Sequence, residues 1–560
     1  MVNRGRSAGC VTCKERRIKC DETKPQCGQC QRLKLCCGGY KTKPANPRFK
    51  DQNHKFCAAV VAGRTFGIQD QTAVPGPSPL AAPNSAVPFF LGHYASMGRD
   101  MESARGFFEV LIPVYCSQRQ DSALSLAVSA VATEILSLWR HDTGSSQLRR
   151  KSYAQAITRL RSAIQDRIER VKPATMLAVL TMQLYENIAA IYGFRYAAPI
   201  HHNGAISLLP FADSCQTNVM TSAYIRQFII HTEISSATRQ RRPLRSIAYS
   251  WIGRKDLIAV PNNPSFALDA IGVSVAELQA SYTQLAKEGG FPLSPQRVFM
   301  EWRTRAKRVD EQLLAWAQSV PDHWQPLKLT SGQDIHTSIP TYRSVCEVYI
   351  SCQVATIWNL WRVQRLLLAS ITLGSLNTVL HPSQFEFSKD PVLACAADFS
   401  KYKQIFRELI DSICHSVPFY LGNRTKRSCL DDFTDPAILL PTYNSLVPVD
   451  KRRMYKQNYD FTTSKDEHRR HVVARGPWQL MSPLSRVLTL CSEDHTQLIV
   501  SLFRPGQYEW ICEQFLRVVI LLHLPTAEFD EDSSAPRFVE NKVEYLVKGV
   551  RKGAICMSGS

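Results

Sequence analysis

Residues 9–40 read GCVTCKERRIKCDETKPQCGQCQRLKLCCGGY, and the spacing of their cysteines decides how the N-terminal part of this chain can fold. Two nearly identical half-patterns stand in tandem: Cys10-x2-Cys13-x6-Cys20, then Cys27-x2-Cys30-x6-Cys37. A two-residue gap lets a turn bring two thiolates onto one ion, and the third cysteine arrives about one short helix later. Seven of the eighteen cysteines fall between positions 10 and 37, while the other eleven are scattered singly from Cys57 to Cys556. A disulfide knot is the competing reading of so dense a cluster. Arg4 and Arg6 are followed by Cys, Lys and Arg where the apolar part of a secretion signal would have to lie, so a reducing compartment and bound metal are expected instead.

Six thiolates are too many for one tetrahedral ion and too few for two separate four-cysteine sites, so two ions must share ligands through two bridging cysteines. Two zinc ions with six thiolates keep a formal negative charge, which neighbouring Lys and Arg offset. A segment shorter than about 40 residues cannot bury enough apolar surface to fold alone, so the metal is expected to be structural. With every position filled by thiolate, no site is left for water or substrate.

The stretch from Gly9 to Cys30, closed by Cys37-Gly38-Gly39-Tyr40, resembles the fungal zinc binuclear cluster, a two-zinc, six-cysteine DNA-binding domain. That resemblance implies Cys10 and Cys27 as bridging ligands, Cys13 and Cys20 completing one zinc site, and Cys30 and Cys37 the other. Cys36 lies one residue short of the six-residue gap after Cys30 and is given no ligand role.

Between Cys13 and Cys20, the hexapeptide from Lys14 to Lys19 has four cations and no Gly or Pro, which fits a recognition helix. The resemblance implies that Arg16 and Arg17 enter the major groove. An arginine fork matches guanine O6 and N7, so a GC-rich CGG-type element is expected. Lys14, Lys19 and Lys24, with Arg32 and Lys34, are expected to meet phosphates, which orient the protein without reading sequence. One cluster covers about three base pairs in this family, so a second half-site and a homodimer are the usual solution. No heptad run follows within residues 41–100, where Pro44, Pro47, Pro75, Pro77, Pro79, Pro83 and Pro88 recur.

Charge follows the same division. The 560-residue chain has 68 Lys+Arg and 48 Asp+Glu, a net +20, and residues 1–50 hold thirteen of those cations against three acids. Such an excess favours polyanionic partners, DNA foremost. Apolar residues at 44% exclude global disorder. The longest apolar stretches, near residues 123–139 and 176–193, are interrupted by Glu134 and Glu186, so no membrane span is expected.

Three parts are expected: a cluster domain at residues 1–45, a basic then Pro-rich flexible linker at 46–88, and a large all-α regulatory domain at 89–560. Leu148, Tyr153, Ile157, Leu160 and Ile164 recur at helical spacing and predict a core-facing helix. Helices are likewise predicted over 122–139, 173–192, 296–319, 341–371 and 399–415, in one domain or two packed lobes. Short apolar stretches such as Trp358-Asn359 and Val417-Pro418-Phe419 resemble the helical regulatory region downstream of the cluster in fungal zinc-cluster factors.

No Gly-x-Ser-x-Gly elbow, Walker loop or dinucleotide fingerprint appears, so no enzyme is expected. His201-His202 reads as packing, and Arg239-Gln240-Arg241-Arg242 and Lys451-Arg452-Arg453 as solvated faces or loops. Glu528-Phe529-Asp530-Glu531-Asp532 mixes acid with an aromatic, as activation segments and ordinary loops both do. The sequence therefore points to a nuclear, zinc-dependent regulator of RNA polymerase II transcription that binds double-stranded DNA and engages the transcription machinery or coregulators. In many relatives the targets are metabolic genes, often a secondary-metabolite gene cluster. The alternative is a zinc-scaffolded adaptor or corepressor without direct DNA contact.

Overall fold

A computed structural model of the chain describes residues 9–40, 85–96, 103, 105, 107–141, 146–214, 219–252, 263–287, 295–380, 389–443, 464–493, 497–525 and 536–553. The chain divides into two units, Met1–Gly76 and Pro77–Ser560. Of the residues expected to form the linker, 46–88, those at 46–84 lie outside the described ones, as do Lys41, Lys43, Arg48 and Lys50, while its last three, 86–88, already belong to the helix Ala86–Phe90. The described part of the second unit begins at Ser85, with Phe89 and Phe90 already buried.

The first unit contains two five-residue helices, α1 (Val11–Glu15) and α2 (Gly28–Arg32). Helices this short do not hold themselves. Their buried residues are cysteines, with Tyr40 packed alongside.

The second unit is helical around two cores. One gathers α3 (Ala86–Phe90), α4 (Phe108–Cys116), α5 (Ala123–Arg140), α6 (Ser146–Gln165), α7 (Pro173–Tyr192), α8 (Ile200–Leu208) and α9 (Val219–Gln240) around Phe90, Leu124, Leu177 and Tyr224. After the single turn α10 (Ser246–Tyr249), the other core is built by α11 (Pro264–Lys287), α12 (Pro295–Ser319), α13 (Cys352–Leu380), α14 (Lys389–Leu421), α15 (Lys465–Ser492), α16 (Leu498–Leu502), α17 (Gln507–Leu521) and α18 (Pro536–Gly553). Trp324, Tyr349, Phe419 and Phe515 lie at its centre. Local chemistry sets the starts: Ser122 Oγ accepts from Ser125 N at 3.1 Å, Ser464 Oγ from Glu467 N at 3.1 Å, and Pro173 occupies the first turn of α7. At Gly476 of α15 a side chain would meet the Tyr420 carbonyl at 2.3 Å, so glycine permits the close crossing of α14 and α15.

Helices α5 and α7 are long and apolar enough to cross a membrane by length and composition, but both are packed inside the body. Each carries a buried acid that is paired: Glu134 with Arg149 at 3.2 Å, and Glu186 with Arg195 at 3.3 Å.

Three expectations need correction. The predicted helix over 341–371 begins only at Cys352. Arg343 and Ser344 take left-handed backbone angles (φ 52° and 61°), which no helix accommodates, and β2 (Val345–Val348) then pairs antiparallel with β1 (Leu327–Thr330), Leu327 opposite Val348. In α6 the buried stripe is Ala156, Leu160 and Ala163; Leu148 and Ile164 are exposed, and Tyr153 and Ile157 are half-buried. Small alanines let α6 approach α5, and the larger residues fall on its flanks. The run from Arg239 to Arg242 is not a solvated face. Arg242 bonds Glu233 at 2.6 and 3.0 Å, Arg241 pairs with Glu493, and Arg239 donates to Ser482 at 2.9 Å. Those acceptors are supplied from other turns and, for two of them, from α15 and its end.

Candidate metal centre and nucleic-acid interface

The two halves of the cysteine repeat fold alike. Cys10 Sγ caps α1 by accepting from Cys13 N at 3.4 Å, and Cys27 Sγ caps α2 by accepting from Cys30 N at 3.3 Å. Each helix then closes with a bond back to its second cysteine, Ile18 N to Cys13 O at 3.0 Å and Leu35 N to Cys30 O at 2.9 Å. That closure puts the preceding residue in the left-handed region: Arg17 at φ 55° and Lys34 at φ 50°. Glu22 (58°) and Gly39 (69°) form a second matching pair.

These turns bring the thiols together. Cys10, Cys13, Cys20 and Cys27 form one group and Cys10, Cys27, Cys30 and Cys37 another, all sulfurs within 4.8 Å inside each group. Cys10 and Cys27 belong to both. Sulfur pairs lie at 3.6 Å (Cys10 and Cys27), 3.6 Å (Cys13 and Cys27) and 3.8 Å (Cys10 and Cys30). A tetrahedron with Zn–S arms of about 2.3 Å has edges of roughly 3.8 Å. The donor set therefore fits zinc in chemistry and in span. As thiols the six are unequal: burial pushes Cys13 up, the bond with Cys27 pushes Cys30 up to about 12, and backbone N–H groups of Cys10 and Cys27 lower Cys20 and Cys37 to about 7. Cys36 is exposed and belongs to neither group.

Polar ties that the cysteine reading overlooked brace the fold. Thr12 Oγ1 donates to Cys36 O at 3.1 Å and accepts from Gly38 N at 2.8 Å, Tyr40 Oη donates to Thr23 O at 2.7 Å, and Asp21 Oδ1 accepts from Gly28 N at 3.1 Å. Their signal in the sequence is weak, since Thr and Asp in short polar stretches are common. The Lys24–Pro25 peptide is cis.

Lys14, Arg16, Arg17, Lys19 and Lys24 are all exposed, and none forms an ion pair among the described residues. The expected recognition helix is shorter than the hexapeptide suggested. Only Lys14 and Glu15 are helical, Arg16 is the C-cap, and Arg17 leaves in the left-handed conformation because the chain must turn to deliver Cys20 to the thiol group. The cations gather at the C-terminal end of α1, where the helix dipole favours positive charge.

In the body, His202 Nε2 meets Glu233 Oε2 at 2.8 Å, both side chains buried, and the half-buried Arg242 completes a three-residue network joining α8 to α9, so His202 packs. Residues 451–453 and 528–532 lie outside the described residues.

The sequence profile of the Fungal Zn(2)-Cys(6) binuclear cluster domain matches residues 8–47. Among curated relatives, White-opaque regulator 2 of Candida albicans is 51% identical over 41 residues, 7% of this chain and 9% of that protein. The aspercryptin biosynthesis cluster-specific transcription regulator atnN of Emericella nidulans is 30% identical over 174 residues, 29% of this chain and 27% of that protein. Transcription factor dbaG of the same species is 24% identical over 165 residues, 29% and 36% of the two chains. The chain thus spans little more than a third, at most, of these relatives' lengths. No solved structure matches it. The cysteine framework and the profile agree: residues 8–47 form a fungal Zn(2)-Cys(6) binuclear cluster domain, which binds two zinc ions, and the relatives this chain resembles are transcription regulators.

Proposed function

We propose that this protein is a zinc-dependent, sequence-specific DNA-binding regulator of RNA polymerase II transcription, acting in the nucleus. The observation that carries the reading is the pair of thiol groups sharing Cys10 and Cys27, which holds Arg16 and Arg17 exposed at the end of α1, without an ion pair among the described residues. Cys10, Cys13, Cys20 and Cys27 would hold one zinc, and Cys10, Cys27, Cys30 and Cys37 the other. The metal supplies cross-links that two five-residue helices cannot supply for themselves.

Arg16 and Arg17 present guanidinium forks to guanine edges of a CGG-type element. Lys14, Lys19 and Lys24 neutralise phosphates and set the salt dependence. The domain ends near residue 45, a linker follows to residue 88, and the helical body from residue 89 is the effector region, meeting coregulators or the transcription machinery. Binding as a homodimer would double the short site each cluster reads. Similarity to the aspercryptin regulator runs over 174 residues, longer than the zinc domain, and supports control of a secondary-metabolite gene cluster.

The test is selection from randomised duplexes by the zinc-loaded full chain. Enriched CGG elements support the reading, and their spacing reports monomer or dimer. No enrichment above a salt-sensitive background overturns it in favour of an adaptor.

A further inference from the structure

Between the two cores of the body lies a cleft bordered by α4, α5, α7, α15 and α17. It encloses about 90 Å³, inside about 1080 Å³ of space that runs out into solvent. Its wall is largely apolar and includes the rings of Tyr94, Phe107, Phe108, Trp139, Phe228 and Trp478. Phe107 and Phe228 stack at 5.2 Å between centroids, and Trp139 donates its indole N–H to Tyr94 Oη at 2.7 Å. The polar poles of that last pair are thus satisfied by each other. Among the described residues no carboxylate lines the cleft.

Against this apolar wall stands a guanidinium. Arg475 of α15 is 5% exposed and lies 4.6 Å from the Phe108 ring centre. Its Nη1 donates to the Tyr94 carbonyl at a long 3.3 Å. No acid contacts this buried cation among the described residues, and the ring, one carbonyl and the smaller attraction of Glu109 offset only part of the cost of burying it. The Ser428 hydroxyl, on another wall and 8% exposed, also has no hydrogen-bond partner among the described residues. At the mouth the His141 and His523 rings sit 5.5 Å apart, and Arg427 hydrogen-bonds to His141. Apart from the phenols of Tyr94 and Tyr192, the ionisable groups around the cleft are therefore bases. Tyr192 is itself engaged, donating to Leu522 O at 2.7 Å.

We propose that this cleft binds a largely apolar organic acid with a single carboxylate, its body against the apolar wall and its anion on Arg475. An anion there supplies a counter-charge in direct contact, and the apolar wall takes the remainder. A neutral molecule of the same shape gains only the second part. This site does not depend on whether the cluster reads DNA.

The experiment titrates the zinc-loaded full chain calorimetrically with 2-naphthoate and decanoate, each against its alcohol, 2-naphthylmethanol or decanol. At least one acid is expected to bind ten-fold or more tighter than its alcohol. Arg475→Met keeps the side-chain length, removes the charge and brings the two affinities together. Leu184→Trp fills the cleft from α7 and abolishes binding of both. Equal affinity of acid and alcohol for the unaltered chain overturns the proposal. So does a preference for the acid that survives Arg475→Met, binding that Leu184→Trp leaves unchanged, or no binding of either acid at millimolar concentration. Should Arg475→Met fail to fold, the acid and alcohol comparison with Leu184→Trp still decides.

Discussion

Replacing Arg17 with glycine separates holding the fold from reading DNA. Arg17 sits at φ 55°, a conformation that costs a residue with a Cβ about 1–2 kcal/mol. Glycine removes that strain but gives back roughly 0.5–1 kcal/mol by loosening the unfolded chain. The exposed side chain forms no ion pair among the described residues, so the balance for the folded domain lies between nothing and about 1.5 kcal/mol in favour of glycine. Lost base contact, by contrast, costs about 1–3 kcal/mol at the preferred site. Lys34 is the internal control, because it has the same backbone angle at the matching position of the other half. Lys34→Gly relieves the same strain and weakens specific and random duplexes alike. Zinc retention against a chelator reports the fold, since metal binding and folding are one free energy here. Fluorescence anisotropy on selected and scrambled duplexes across a salt series reports the reading. Destabilisation of Arg17→Gly by more than about 1 kcal/mol would refute the strain argument. Equal losses on both duplexes would place Arg17 on a phosphate.

Cys36→Ser should retain both zinc ions by native mass spectrometry, since Cys36 is exposed and outside both thiol groups; release of one ion would make it a ligand. Arg362→Met should cost about 3–5 kcal/mol in a thermal melt of the body, because it strands Glu347, paired at 2.7 Å with both side chains 2% exposed. Combining it with Glu347→Leu should recover much of that loss, and a double variant no better than the single one would deny the coupling. Burial alone would raise the Glu233 carboxyl, yet hydrogen bonds from His202 and Arg242 prevail and hold it down to about 2. Its folded value lies below the unfolded one of about 4.3, so the stability it contributes is present above that value and is lost as pH falls from about 5 through 2. Glu233→Gln should lower stability at neutral pH and flatten the acid limb of the unfolding profile; an unchanged slope between pH 5 and 2 would count against the network.

What could be read in the sequence was local. The cysteine spacings encode turns of a few residues, so a shared-ligand cluster of six thiols and the exposed cations between Cys13 and Cys20 were legible at short range, while the division of the thiols into two groups was implied by the family resemblance. The end of α1 at Arg16 did not, because it is imposed by where Cys20 must arrive rather than by the helix propensity of the hexapeptide. Long helices such as α5 and α7 matched their predicted spans closely, whereas β2 was hidden in a sequence whose apolar spacing also suits a helix. The partners of Arg241 and Arg239 come from α15 and its end, more than two hundred residues away, and no local pattern marks them. The cleft is harder still. Tyr94, Trp139, Phe228, Arg475 and His523 come from five separated stretches, and only packing makes neighbours of them.

The likeness of the two halves of the zinc domain also gives the molecule a polarity. Their backbones correspond turn for turn over an offset of 17 residues, yet where the first half presents Arg16 and Arg17 the second presents Leu33 and Lys34. A frame with near two-fold regularity would approach a duplex equally well from either side. Side chains break that tie, because only one end carries two forks able to grip guanine. Under the proposed reading, a non-palindromic triplet therefore meets a non-palindromic reader, and a single domain fixes which way the helical body's tether leaves the DNA.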